Sequence, residues 1–260
     1  MKYYCFSLFL FLASSNVFFS QNTAVNTNEK LVYTASYTLS GLLTEIAQIS
    51  LETSPVKTST ATLLKLKFTA TTFSKFDNFF KVRDLYESYV NPKTLTPLLY
   101  KRDIAEGGFK KMEQYKFNHK DKNIDCVIRK FQKDGEFEDK LTVPNTGNTR
   151  DLVATIYNVR NLDFSKLKTG ESKSFSFLFD AKEKFMIIKY LGKETISTNL
   201  GKKECYKLAV SLKNDNSLKG ANDNLLWLSA DVVKIPVLAK FKIAIGTGEL
   251  KIKSATGLLK

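Results

Sequence analysis

Residues 225–252 constrain the fold most, because they form three consecutive runs with the composition of β-strands, joined by turn residues. Trp227, the only tryptophan, lies in a short run that ends at Ser229-Ala230-Asp231, whose side-chain oxygens suit a turn. Pro236 lacks a backbone donor and fits the start or the edge of the next strand. Gly246-Thr247-Gly248 then permits a tight reversal into a last strand. The pattern predicts an antiparallel meander.

The same strand character recurs along most of the chain. In residues 31–39, apolar and polar side chains alternate with a period of two, which is typical of a half-buried antiparallel strand. Similar runs follow up to residue 132 and again from residue 172, whereas residues 133–149 are charged and rich in turn formers. We therefore predict a mainly β protein, either a strongly curved antiparallel sheet or an open β-barrel, with one or two short helices packed on or plugging its concave face.

Residues 73–82 depart from the strand period. Four phenylalanines recur there at helical spacing, which predicts a short amphipathic helix: Phe73, Phe76, Phe79 and Phe80. The stripe could form the wall of a ligand site, but packing on the sheet is the preferred interpretation.

A second helix is predicted at residues 150–161. Thr149 could cap it, Asp151 would favour its first turn, and a stripe of apolar residues including Ile156 and Tyr157 would be buried. A helix between two sets of strands suits packing against, or plugging, a curved sheet.

The N-terminus reads as an export signal. Residues 1–20 combine an early lysine, a short apolar run and small residues near a plausible cleavage site. Cys5 precedes the apolar run, so a lipid anchor is not expected, and no later segment approaches the ~20 apolar residues of a spanning helix. We predict an exported protein, periplasmic or secreted, with association with the outer membrane left open. Residues 21–28 would be a polar leader, 29–254 a single β domain and 255–260 a C-terminal tail.

Two cysteines remain after signal removal. Cys126 alternates with isoleucines on an apolar face, whereas Cys205 shares its face with lysines. A disulfide between them is possible in an oxidising compartment, but two separate thiols are the preferred interpretation.

Motifs for catalysis, metals or cofactors are not found in the sequence. His119, the only histidine, lies in a polar turn, which is more typical of a solvated residue than of a catalyst. No zinc pattern, nucleophile motif or phosphate-binding loop is present. We therefore predict no cofactor, no metal site and no enzymatic activity.

One polar cluster is a candidate site. It comprises Arg83, Asp84, Glu87, Arg102 and Glu106, which fall on adjacent predicted strands. Paired carboxylates can hydrolyse a glycosidic bond, and Glu87 with Asp84 or Glu106 would be the pair. Because arginines alternate with the acids, ion pairs across strands are the preferred interpretation.

The formal net charge of +14 favours anionic partners. For an exported protein, these would be lipid headgroups or acidic glycans, and nucleic acid is not expected. Alternatively, the lysines only line the solvent faces of the strands, because they are spread along the chain.

Several short patterns, in order, resemble a known family. They are Val82-Arg83-Asp84 with Glu87-Ser88, Tyr100-Lys101-Arg102 with Glu106-Gly107-Gly108, Asp151-Leu152 through Tyr157 to Arg160, and Trp227 to Asp231 with Lys234 to Val237. The chain resembles the exported bacterial family catalogued as domain of unknown function 3108 over about residues 29–252. This resemblance implies an exported, mainly antiparallel β protein and no known activity. A looser similarity links the C-terminal strands to periplasmic lipoprotein carriers, whose open β-barrels hold acyl chains; it concerns the fold only.

Export, a basic surface and many aromatic strand residues together suggest a function. We predict a non-catalytic cell-envelope protein that binds an amphiphilic or anionic envelope component, with the oligomeric state left open. The candidate cavity-wall residues are Tyr33, Tyr37, Phe175, Phe177, Phe179 and Trp227. The alternatives are a structural or assembly factor with a filled core and, less favoured, a glycan hydrolase.

Overall fold

The computed structural model describes residues 21–39, 41–213, 223–243 and 246–259. Within these ranges the chain forms fifteen strands and two short α-helices. The strands are β1 (Lys30–Leu39), β2 (Leu42–Lys57), β3 (Thr62–Thr72), β4 (Arg83–Val90), β5 (Pro97–Glu106), β6 (Phe109–Asn118), β7 (Asn123–Gln132), β8 (Gly135–Pro144), β9 (Arg150–Asp151), β10 (Ser172–Phe179), β11 (Lys182–Thr198), β12 (Gly201–Leu212), β13 (Leu225–Ser229), β14 (Pro236–Ile243) and β15 (Gly246–Thr256). The helices are α1 (Asp77–Phe80) and α2 (Leu152–Val159).

All fifteen strands belong to one sheet. Its order runs from β8 through β7, β6 and so on to β1, then to β15 and back down to β9. Every neighbouring pair is antiparallel except β9 with β10, and the terminal strands β8 and β9 do not pair, so the sheet is not closed. The predicted fold class, a curved antiparallel sheet or open barrel, is confirmed.

Because neighbouring strands alternate in direction, the connections fall at two ends of the sheet. The turn between β1 and β2 lies at one end, together with the connections β3–β4, β5–β6, β7–β8, β10–β11, β12–β13 and β14–β15. We call this the β1–β2 end. The turn between β2 and β3 lies at the opposite end, which we call the β2–β3 end.

The strand period explains which side chains are buried. In β4, Tyr86, Ser88 and Val90 point to the buried face, and in β7 Ile124 and Cys126 do so. Helix α2 packs against β3, β4, β9 and β10, and its residues Val153, Ala154 and Tyr157 belong to the same apolar core as these strands. The helix therefore lies on the concave face, as predicted.

The structure corrects several local predictions. Residues 133–149, predicted to be turn-rich, contain the full strand β8, and the last strand extends to Thr256, into the predicted tail. Helix α2 spans only eight residues and is capped by Asp151, not by Thr149. Asp231 is a turn former as predicted: it accepts hydrogen bonds from Ser229 Oγ at 2.7 Å and from Lys234 N at 2.9 Å.

The predicted helix at residues 73–82 is shorter than expected and faces solvent. A 3₁₀ turn (Ser74–Phe76) leads into the single turn α1. Phe79 is 84% exposed and Phe80 is 50% exposed, so the prediction that the phenylalanine stripe packs on the sheet is wrong for these two residues. The helical spacing identifies residues that share a stripe, but it does not identify the surface that covers the stripe.

The two cysteines and part of the N-terminal segment are buried in the fold. Cys126 and Cys205 are free thiols, as preferred, and both are buried, although Cys205 shares its strand face with lysines. In the predicted leader, Ala24 and Val25 are buried against the fold. The predicted signal peptide, residues 1–20, lies outside the described residues.

Candidate functional site

An apolar cavity of about 240 Å³ lies on the concave face, between α2 and the strands on either side of the β1–β15 pair. It is partly open to solvent. Its walls come from α2 and from strands that bury alternate side chains, as the strand period requires. The lining residues are Tyr33, Ile49, Leu51, Phe68, Ile156, Met186, Ile188, Val210, Asn224, Leu225, Leu226, Leu228, Pro236, Leu238, Ala239, Lys240, Phe241 and Leu250.

The interior of the cavity is almost entirely hydrocarbon. Tyr33 carries a polar group into this wall, and its hydroxyl donates to the carbonyl oxygen of Pro236 at 3.0 Å. Burial raises the pKa of the Tyr33 hydroxyl far above its usual range, so the group is neutral. A satisfied, neutral hydroxyl offers little to a polar ligand, and the cavity is therefore suited to an apolar group.

Charge appears only where the cavity opens. A second depression of about 570 Å³ adjoins it at the β1–β2 end and shares Leu225, Lys240 and Phe241 with it. We call these shared residues and the walls of the depression the mouth. There, Lys240 and Lys242 project from the face of β14 opposite to Ala239, so they lie on the outer side of the opening. Lys240 Nζ lies 3.6 Å from Glu249, and Lys242 Nζ lies 3.4 Å from Asp223. Both lysine side chains are about half exposed, and such ion pairs contribute little and exchange readily with other anions.

Helix α2 forms one wall of the cavity, and its N-terminus is fixed by a buried carboxylate. Asp151 Oδ1 accepts a hydrogen bond from Ala154 N at 2.8 Å, and its Oδ2 accepts one from Ser88 Oγ at 2.5 Å. Burial raises the pKa of Asp151 to about 6, although these two hydrogen bonds oppose the shift. The cap joins the helix to β4, and Ile156, one turn later, faces the cavity.

The C-terminus of α2 is fixed by a fully buried ion pair. Arg160 donates to both carboxylate oxygens of Glu29, at 2.5 and 2.8 Å. Its remaining donors reach the carbonyl oxygens of Val233, at 2.9 Å, and Ala24, at 2.9 Å. The two side chains are only 1% and 0% exposed. One guanidinium therefore connects the helix, the N-terminal segment and the β13–β14 connection, and it holds α2 over the cavity.

A second, partly buried network joins the tip of the β10–β11 hairpin to the concave face. Asp180 Oδ1 accepts hydrogen bonds from Arg102 at 2.9 Å and from Lys111 at 2.7 Å. Lys111 also pairs with Glu113, whose other oxygen accepts a hydrogen bond from Tyr115 at 2.6 Å. Although burial acts to raise it, the bond from Lys111 and the charge of Arg102 hold the pKa of Asp180 below its usual range. Opposite charges here satisfy one another, which is typical of a structural clasp.

The buried carboxyl of Asp84 lies nearby at the start of β4, beside the partly exposed Glu106 at the end of β5. Burial, together with a hydrogen bond and repulsion from Glu106, raises the pKa of Asp84 to about 7. Asp84 also accepts a hydrogen bond from Ala105 N at 3.1 Å. Asp84 therefore keeps its proton up to about neutral pH.

The structure disperses the predicted cavity wall. Tyr33 lines the cavity; Tyr37 packs against Gly246, and Phe175 packs against a separate cluster around Phe164. Phe177 is buried elsewhere, and the Phe179 ring lies 4.4 Å from the Arg102 guanidinium. Trp227 points to the other face of its strand, where its indole donates to Glu194 at 3.1 Å beneath Lys207.

The predicted polar cluster is also divided. Asp84 and Arg102 lie on the buried face, whereas Glu87 lies on the opposite, partly exposed face and pairs with Lys65 at 3.4 Å. Arg83 pairs with Asp77 at 2.6 Å, outside the cluster. Glu87 shares its face with Leu85 and Tyr89, because the alternation in β4 buries Asp84, Tyr86 and Ser88 instead.

Most residues that line the cavity were missed by sequence reasoning. Leu226 and Leu228 lie in the C-terminal meander, and their alternation with Trp227 was the available signal. Ile156 lies in the predicted buried stripe of α2. The aromatic bias of the prediction, which favoured Trp227 over its leucine neighbours, explains the omission.

Within the described ranges, no group of three or more His, Cys, Asp or Glu side chains is arranged to hold a metal ion. His119 bonds the carbonyl oxygen of Pro97 at 2.6 Å, in the β6–β7 turn. None of the helices in the described part of the chain has the length and apolarity needed to cross a membrane.

Comparison with solved structures finds the same architecture. The β-barrel-like protein of domain of unknown function DUF1849 from Brucella abortus is similar, with a TM-score of 0.60 and 8% identity over 91% of this chain and 100% of that chain. A protein named as exported, with a YmcC-like fold, from Bacteroides fragilis gives a TM-score of 0.32 and 8% identity over 90% and 100% of the two chains. At such identity the first of these likenesses shows the fold alone.

Comparison by sequence is more direct. A search among curated proteins finds no match. Residues 32–253, almost the whole of the described sheet, match the family described as "Protein of unknown function (DUF3108)". The match agrees with the ordered motifs in β4, β5, α2 and β13, most of which the structure assigns to burial, capping and turns. This chain therefore belongs to the DUF3108 family.

Proposed function

We propose that this protein is an exported, non-catalytic binder of a single-chain amphiphile. The hydrocarbon chain lies in the apolar cavity beneath α2, and an anionic headgroup lies at the mouth beside Lys240 and Lys242. The observation that carries the proposal is the cavity itself: its walls are hydrocarbon, and the lysines of the mouth stand outside it, on the other face of β14.

The size of the cavity limits the ligand. Sites for drug-sized ligands usually occupy about 300–1,000 Å³. At about 240 Å³, the cavity suits one chain or one small apolar group, rather than a lipid with several chains. The adjoining depression of about 570 Å³ provides space for a headgroup.

The charge at the mouth favours an anion. An anionic headgroup would compete with Glu249 for Lys240 and with Asp223 for Lys242, and both existing pairs are long and solvated. The net charge of +14 would raise the local concentration of such ligands. Export rests on the composition of residues 1–20, and the periplasm or the outside of the cell would be the compartment.

Calorimetric titration below the critical micelle concentration tests the proposal. We expect dodecyl phosphate to bind more tightly than dodecyl maltoside, which has the same chain and an uncharged headgroup. Ile156→Trp, which fills the cavity from α2, should weaken both ligands at least about tenfold, a loss of about 1.4 kcal/mol. Met112→Trp is the matched control, because Met112 is exposed on the outer face and should leave binding unchanged. Absence of binding, or equal binding by both variants, would refute the cavity site.

The alternative is a structural or assembly factor without a ligand. The fixation of α2 at both ends, by Asp151 and by Arg160, and the small cavity favour it. On this alternative, Ile156→Trp would stabilise the protein by about 0.5–2 kcal/mol, as cavity filling does, and no amphiphile would bind to either form.

The positions of the carboxylates support a non-catalytic function. Glu87 and Asp84 lie on opposite faces of β4, so they cannot flank one sugar bond. Asp84 is buried and its carboxyl accepts a hydrogen bond from Ala105 N at 3.1 Å, whereas glycosidases hold their two carboxyls roughly 5–9.5 Å apart in a cleft that admits the substrate.

A further inference from the structure

The exposed apolar side chains are concentrated at one end of the sheet. Of the eleven large apolar side chains that are exposed among the described residues, seven lie at the β1–β2 end. Leu42, 73% exposed, and Leu43 follow the β1–β2 turn, and Phe79 and Phe80 form α1 between β3 and β4. Two neighbouring leucines and two neighbouring phenylalanines thus project from the same end.

Three more phenylalanines extend this set around the end of the sheet. Phe109 follows the β5–β6 turn, Phe137 follows the β7–β8 turn, and Phe185 begins β11 after its hairpin turn. We call these seven side chains the apolar rim. Among the eleven, the β2–β3 end carries Val232, Leu98 and Leu141, and Met112 lies in the middle of β6. Such an asymmetry is unusual for a surface that faces only water.

The mouth of the cavity opens at the same end. Leu43 belongs both to the apolar rim and to the wall of the mouth, beside Lys240 and Lys242. Lys213 also lies there, with its Nζ 5.8 Å from the Phe185 ring. Three lysines therefore lie at the same end of the sheet as the apolar rim.

We propose that the apolar rim docks on the surface of an anionic lipid bilayer, with the mouth of the cavity facing the lipid. The rim side chains project from separate turns and, apart from Leu43, do not line the cavity or its mouth. A protein partner would be anchored in pockets, whereas an interface of lipid accepts projecting leucines and phenylalanines directly. The lysines at this end match the negative headgroups, and each lysine near the surface raises the affinity for an anionic bilayer a few-fold.

Docking goes beyond the proposed function and does not depend on it for its evidence. If the cavity holds an amphiphile, docking places its opening where amphiphiles are taken up or released. If the cavity holds none, the apolar rim still requires a partner surface.

Sedimentation with vesicles tests the docking site in the full-length mature protein. We expect binding to vesicles of phosphatidylcholine and phosphatidylglycerol at 70:30, and at least about tenfold weaker binding to pure phosphatidylcholine. Leu42→Ser combined with Phe79→Ser, which leaves the cavity and mouth linings intact, should weaken binding to the anionic vesicles at least about tenfold. Val232→Ser is the matched control, because Val232 is 56% exposed at the other end, and it should have no effect.

Three results would overturn the docking site: no binding to either vesicle, equal binding by the double variant and the wild type, or a dimer in solution that the double variant abolishes. Dodecyl phosphate titration of the double variant separates the two proposals. Its binding in solution should equal that of the wild type. If the wild type binds vesicles but does not bind dodecyl phosphate, the proposed function is refuted and the docking site is not.

Discussion

The buried pair of Glu29 and Arg160 gives the most quantitative prediction. In Glu29→Gln, the guanidinium loses both charged acceptors but keeps the carbonyls of Val233 and Ala24, and it stays only 1% exposed. An unpaired charge in such a place costs about 3–5 kcal/mol. For a chain of this size, that loss corresponds to a fall in melting temperature of about 6–20 °C.

Urea unfolding followed by circular dichroism measures this cost. Glu52→Gln is the matched control, because Glu52 pairs on the surface with Lys30, the residue after Glu29, at 3.1 Å. Removing this exposed pair should lower the free energy of unfolding by less than about 1 kcal/mol. Arg160→Met completes a double-mutant cycle, in which the sum of the single losses should exceed the loss of the double variant by about 1–3 kcal/mol. If Glu29→Gln costs no more than Glu52→Gln, the structural role assigned to this pair is wrong.

Three further predictions concern titratable groups. Because the folded-state pKa of Asp84 is raised to about 7, the folded protein binds an extra proton between about pH 4 and 7 and loses stability as the pH rises through that range. Asp84→Asn should remove this loss and stabilise the protein at pH 8 by on the order of 1–2 kcal/mol. Urea unfolding at about pH 4 and at pH 8 measures the effect, and an equal pH dependence of stability in the variant and the wild type would contradict the assignment. Burial raises the pKa of Cys126 to about 12 and of Cys205 to about 11. Neither thiol should therefore react with a disulfide reagent at pH 8 until the protein is denatured, and rapid reaction in native buffer would show that the thiols are accessible. Asp180→Asn weakens the contacts of Arg102 and Lys111 with the hairpin tip and should cost about 1–2 kcal/mol while increasing hydrogen exchange in the β10–β11 turn; unchanged exchange there would exclude a clasp.

The sheet was predictable from sequence because its cause is local. The period of two in β1, the turn at Asp231 and the proline that begins β14 each depend on a few neighbouring residues. Strand β8 was missed because its charged residues dominate its composition and interrupt the alternation of Phe137, Leu141 and Val143 at Asp139. Backbone pairing with β7 forms this strand, and pairing leaves no mark on composition.

The candidate site was less predictable because burial depends on distant partners. The pattern of β4 separates two mixed faces but does not identify the buried one. Ser88 can be buried because the carboxylate of Asp151, 63 residues later, accepts a hydrogen bond from its hydroxyl. Similarly, Trp227 and Leu228 are both apolar, and only the curvature of the whole sheet decides that Leu228 faces the cavity while Trp227 lies under Lys207. Which residues form the cavity wall is therefore decided by the curvature of the whole sheet and not by one strand.

The central claim is that the space beneath α2 holds a hydrocarbon chain, and isotope-edited NMR tests it directly. With ¹³C-labelled dodecyl phosphate and methyl-labelled protein, we predict intermolecular nuclear Overhauser effects between the chain and the methyl groups of Ile156, Leu226 and Leu228, which line the cavity. Val232, at the β2–β3 end, should show none. Effects confined to Leu42 and Leu43, or no intermolecular effects at saturating ligand, would contradict the claim.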